Sequence, residues 1–88
     1  MLVRVVVLDG SHIESKLEFL DAVAAALSFP DYFGRNWDAL DECLRDVTDP
    51  TILEWADAER FAEADPEGFQ GAVNCFADTT ASVTLRLT

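Results

Sequence analysis

The sequence predicts an α/β domain, a three-stranded parallel sheet packed by three to four helices. Two features of the residue pattern point to this. Three short runs, residues 2–8, 51–55 and 82–88, are rich in Val, Ile, Leu and Thr, residue types that suit strands. Stretches with helical spacing and N-cap residues lie between them. Strands connected through helices pair in parallel by right-handed crossovers. Eighty-eight residues can support one hydrophobic core but not two, so residues 1–88 are expected to form a single domain.

The elements follow in order. Leu2 to Leu8 is apolar apart from Arg4 and stops at Asp9-Gly10, which predicts a strand buried on both faces. Ser15-Lys16-Leu17-Glu18 has the form of a capping box, so a helix is expected to start there. Leu17, Leu20, Val23, Ala24 and Leu27 then recur at helical spacing. Phe29-Pro30 is expected to close this helix, because a residue before proline avoids the helical region. Residues 31–35 make a loop carrying Tyr32, Phe33 and Gly34.

A second helix is expected from about Asn36 to Val47, with Asn36 as its N-cap. Thr51 to Trp55 reads as a second buried strand, and Asp57 to Glu63 as a short helix. Asp65-Pro66 has the N-cap and N1 form that opens a helix. Phe69, Ala72, Val73 and Phe76 would be its apolar face. Ser82 to Thr88 alternates Val83, Leu85 and Leu87 as a last strand.

Charge narrows the function classes. Seventeen Asp and Glu oppose six Lys and Arg, a net charge of −11. Such a surface repels nucleic acid and anionic lipid and attracts cationic partners, more strongly at low salt. Solvation of an ordinary surface would account for part of this acidity. Cys43 and Cys75 form no C-x-x-C pair and no metal-spaced set, so they are expected to be free thiols in packed helices. Arg4 interrupts the first apolar run and Asp9-Gly10 ends it. No secretory or membrane segment is therefore expected, and the chain is read as cytoplasmic.

The second helix concentrates the signal. Trp37, Leu40, Cys43, Leu44 and Val47 fall on one side, and Asp38, Asp41, Glu42 and Arg45 on the other, with Asp46 at the edge. Every surface helix has a polar side. The excess of acid over base here, and the Tyr-Phe-Gly-Arg-Asn lead-in, go further. A glycosidase pair of Asp38 and Glu42 would need a sugar cleft, which nothing in the sequence suggests. His12 is the only histidine, and no calcium loop, G-x-S-x-G or glycine-rich phosphate loop is present. Neither a metal nor a cofactor is expected.

The stretch Phe29-Pro30-Asp31-Tyr32-Phe33-Gly34-Arg35-Asn36-Trp37-Asp38-Ala39-Leu40-Asp41-Glu42-Cys43-Leu44 resembles the barstar family of intracellular ribonuclease inhibitors. The likeness extends to the opening strand with Asp9-Gly10, to Thr51 to Trp55 and to Val83 to Leu87, and weakens between Ala56 and Thr80. It implies a helix-packed parallel sheet and a partner, a basic guanyl-type extracellular ribonuclease held inactive 1:1. In such proteins the second helix and its loop enter the enzyme's active site, and carboxylates replace RNA phosphates. The resemblance implies a partner-binding set of Tyr32, Gly34, Asn36, Trp37, Asp38, Asp41, Glu42, Asp46 and Asp78. Glu42 stands where the family usually has Asp, and Asp41 where a well-known member has an aromatic. A monomer in the free state is expected. The alternatives are an immunity protein against another cationic toxin, a small hydrolase using Asp38 and Glu42, and a structural subunit.

Overall fold

The computed structural model describes residues 2–79 and 81–88. Strand β1 (Arg4–Asp9) leads through a 3-10 turn (Gly10–His12) to α1 (Lys16–Leu27) and α2 (Trp37–Arg45). Strand β2 (Thr51–Ala56), α3 (Glu59–Ala64), α4 (Pro66–Asp78) and β3 (Val83–Leu87) complete the chain. The sheet is parallel throughout, in the order β1-β2-β3. Its ladder places Val6 beside Leu53 and Leu53 beside Leu85.

The helix boundaries follow from local chemistry. Ser15 Oγ accepts from Glu18 N–H at 3.2 Å. The returning arm of this capping box reaches one residue further than usual, because Glu18 Oε1 accepts from Glu14 N–H at 3.2 Å. At the other end, Ser28 adopts a left-handed backbone (φ 56°), and Phe29 N–H returns to the Ala24 carbonyl at 2.9 Å. That turn stops α1 before Phe29-Pro30, which the sequence had marked as the terminator. Asp65 caps α4 through Gly68 N–H at 3.0 Å, with Pro66 at its first position.

One expectation is corrected. β1 is not buried on both faces. It is an edge strand, and Val5 and Val7 are 51% and 65% exposed. Apolar runs of this kind belong to sheets covered on both sides, but here the helices lie on one side only. β2 likewise alternates buried Thr51, Leu53 and Trp55 with half-buried Ile52, Glu54 and Ala56. The outward face carries a 2.7 Å ion pair from Arg86 to Glu54.

The core fills the inward side. Leu8, Leu53, Trp55 and Val83 from the sheet meet Phe19, Leu20 and Val23 of α1, Leu40 and Leu44 of α2, Phe61 of α3 and Phe76 of α4. Phe19 is its hub, with ring centroids 4.7 Å from Trp55, 5.7 Å from Phe61 and 6.1 Å from Trp37. Gly10 lets the backbone pass close over the Trp55 indole, since a Cβ there would lie 2.6 Å from Trp55 Nε1. Among the described residues, that Nε1 is the one buried side-chain donor without a partner.

Candidate functional site: an acid-faced helix and its loop

Helix α2 is pinned by its apolar residues, and that decides where its acids point. Leu40 and Leu44 are fully buried. Trp37 packs on Phe19, lies under Lys16 Nζ (5.1 Å to the ring centroid), and rests against Gly71 of α4. A Cβ at Gly71 would lie 3.0 Å from the indole. A glycine inside a helix costs about 1 kcal/mol, and here it admits Trp37 between α2 and α4. Asn36 caps the helix, accepting from Ala39 N–H at 2.7 Å and donating to the Gly34 carbonyl at 3.2 Å. Its side chain is therefore committed to shaping the loop.

With that side fixed, Asp38, Glu42, Arg45 and Asp46 are exposed and Asp41 half-buried. At 100° per residue the four acids fan over roughly 140° of the helix surface. On the α4 side, Trp37, Asp38 and Asp41 join Gly71, Asn74, Cys75 and Asp78 around a groove of about 420 Å³. On the α1 side, Asp46 joins Cys43 and the Leu27–Pro30 turn at a smaller recess. The structure thus brings Trp37, Asp38, Asp41 and Asp78 together, with Glu42 on the exposed surface between the two recesses. A larger groove between α4 and β3 is lined by Val73, Phe76, Leu85 and Leu87 and carries no charge, so it offers a cationic partner nothing to read.

The two arginines of this face are occupied. Arg45 is held by Asp41 at 3.0 Å, and Arg35 by Asp21 at 2.9 Å. Among the described residues Asp38 and Glu42 have no ion-pair partner. Tyr32, 85% exposed, stands on the adjoining loop, where Phe33 N–H bonds the Pro30 carbonyl at 3.0 Å and Phe33 packs on Phe29.

Cys75 reports the field of this groove. Burial, then Asp41, Asp78 and Asp38, push its thiol up to about 11. Cys43 is raised by burial first, then by Asp46 and Glu42. Both are free thiols, and both are poor nucleophiles at neutral pH. Because the folded value of Cys75 lies above its ordinary 9.0, its contribution to stability is complete below pH 9. That contribution is lost as pH rises toward about 11. Alkylation of the folded protein across this range is expected to label Cys75 late. Asp41→Asn is expected to move the onset to lower pH. An unchanged onset would mean that the Asp41 charge does not reach the thiol.

Among the described residues no group of His, Cys, Asp and Glu could hold a metal ion, and no helix is long and apolar enough to cross a membrane. These features define a small α/β protein in which a one-sided parallel sheet presents an acid-faced helix and an exposed loop tyrosine. The model of the family described as Barstar (barnase inhibitor) matches residues 3–87. The chain belongs to the barstar family, whose model is described as that of an inhibitor. A hydrolase built on Asp38 and Glu42 is thereby set aside. The chain is also similar to YrdF of Bacillus subtilis (strain 168), named a candidate ribonuclease inhibitor, with 44% identity over 41 residues. That match covers 47% of this chain and 45% of YrdF, so it spans less than half the relative's length.

Proposed function

We propose that this protein is a stoichiometric inhibitor of a basic, guanyl-type extracellular ribonuclease, acting in the cytoplasm of the cell that makes the enzyme. It binds 1:1 and occludes the active site with α2 and the 31–35 loop. The observation that carries this reading is the convergence of Asp38, Asp41 and Asp78 on one groove beside Trp37. Glu42 and exposed Tyr32 flank it in a member of the barstar family. Carboxylates so placed can accept from Arg and Lys groups that would otherwise bind RNA phosphates, through charge-assisted hydrogen bonds. Tyr32 supplies the amphipathic anchor typical of interface hot spots. Gly34 and Asn36 shape the loop, and Asp46 extends the acidic surface toward α1.

An interface of standard size, roughly 1,600 Å² in total, would cover α2 and its loop. The test is titration of barnase and a panel of other basic ribonucleases with the purified protein. RNA hydrolysis is expected to fall to zero at a molar ratio of one. Association is expected to slow as salt rises, because the Debye length shortens from about 30 Å at 0.01 M to about 8 Å at 0.15 M. A salt-independent association rate would remove the steering argument. Failure against every ribonuclease, with capture of a different cationic toxin, would move the protein to the immunity reading.

A further inference from the structure

We infer that Arg35 is a positioning residue of the inhibitory face, clamping the 31–35 loop to α1 through Asp21; the inference rests on the inhibitor reading above. The guanidinium makes a two-pronged contact, Nε to Asp21 Oδ1 and Nη2 to Asp21 Oδ2, each at 2.9 Å. Planar fork-to-fork pairing of this kind fixes direction as well as distance. Asp21 lies on the exposed side of α1, and Arg35 directly precedes the α2 cap, Asn36.

Two features show that the pair acts locally. Both side chains are about half exposed, at 50% and 56%, and exposed pairs contribute little to global stability. The backbone of Arg35 is left-handed (φ 52°), a region that residues other than glycine seldom occupy. The loop is held there from three sides. Phe33 packs on Phe29, the Asn36 amide donates to the Gly34 carbonyl, and the Arg35 fork grips α1. Among the described residues the Tyr32 side chain makes no hydrogen bond of its own, so its position is inherited from these neighbours. A loop fixed before binding loses less conformational freedom on binding. The clamp also pairs a positive charge that would otherwise stand unpaired before a cationic partner.

Charge and clamp predict opposite signs. Arg35→Ala makes the protein more acidic, so steering alone predicts faster association and tighter binding to barnase. The clamp predicts that dissociation speeds up about tenfold, giving weaker binding at high and low salt. Asp21→Ala is expected to speed dissociation by a similar factor, and the double variant, with the original net charge, by no more than either single change. Melting temperatures are expected to stay unchanged. In the free protein, backbone amides of residues 32–34 are expected to show faster hydrogen exchange in all three variants. Multiplicative dissociation effects in the double variant would overturn the clamp. So would tighter binding by Arg35→Ala, or loop amides that match wild type. If the wild-type protein does not inhibit barnase or any other basic ribonuclease, the inhibitor reading fails. The loop amides of the free protein then still decide the clamp.

Discussion

Glu42→Ala is expected to weaken inhibition of the cognate ribonuclease by about 2 kcal/mol or more, a ~30-fold loss, without lowering the melting temperature. The size is that of interface hot spots, a scale taken from interfaces in general and from this family's founding complex. Glu42 is exposed on α2, one turn beyond Asp38, and among the described residues neither has an ion-pair partner. Like charges at i and i+4 repel by a few tenths of a kcal/mol. Removing Glu42 relieves that cost in the free protein, so stability is expected to hold or rise slightly. On the proposed reading, the same change would leave a cationic pocket of the enzyme unpaired in the complex. Glu42→Asp draws the carboxylate back by about 1.5 Å, one bond length. It is expected to lose affinity for an enzyme matched to Glu and to gain it for enzymes blocked by Asp-bearing relatives. Titrations of the three proteins against two ribonucleases check both statements. If Glu42→Ala inhibits as well as wild type, Glu42 is a solvated surface acid and the helix is read by its other carboxylates.

Phe19→Ala is expected to destabilise the fold by about 3–5 kcal/mol, the usual cost of emptying a buried aromatic site. For a domain of this size that corresponds to a fall in melting temperature of more than about 12 °C. Phe19 is fully buried and touches Trp37, Trp55 and Phe61, so one ring joins α1 to α2, β2 and α3. The cavity cannot close easily, because its walls belong to four separate elements. Urea unfolding measures the loss. A change below about 1 kcal/mol, the range of tolerated surface substitutions and mild core swaps, would show that the hub repacks. Phe19 also supports Trp37, so whatever variant remains folded is expected to bind less tightly than its stability alone accounts for.

The helix starts were legible because they are written in adjacent residues. Ser15 with Glu18, Asn36, and Asp65 with Pro66 all cap where the chain says they should. The strands were legible as elements, but the covering of β1 was not. Val5 and Val7 suit a strand whether or not a layer lies over them, and only the order of strands and the placement of helices decides that. The acid face of α2 could be read from helical spacing once Leu40 and Leu44 were assigned to the core. Its meeting with Asp78 could not, since that residue closes α4 and reaches the groove only through packing. Asp78 entered through resemblance to a family. The Arg35–Asp21 contact had no signal at all. It joins residues 14 positions apart across a turn, and its geometry depends on a left-handed backbone that nothing in the residue name Arg suggests.

The bare outward face of the sheet has a practical side. Since the helices occupy the other side, Val7 projects away from α2, with Val5 beside it on the same face of β1 and Glu54 paired to it on β2. A linker attached at Val7 would anchor the molecule to a solid support by its back, leaving the carboxylate fan free in solution. Mounted in this way, and on the proposed inhibitor reading, the domain would become an oriented capture layer for a cationic enzyme. Loading would be favoured in dilute buffer, and concentrated salt would act as the eluent.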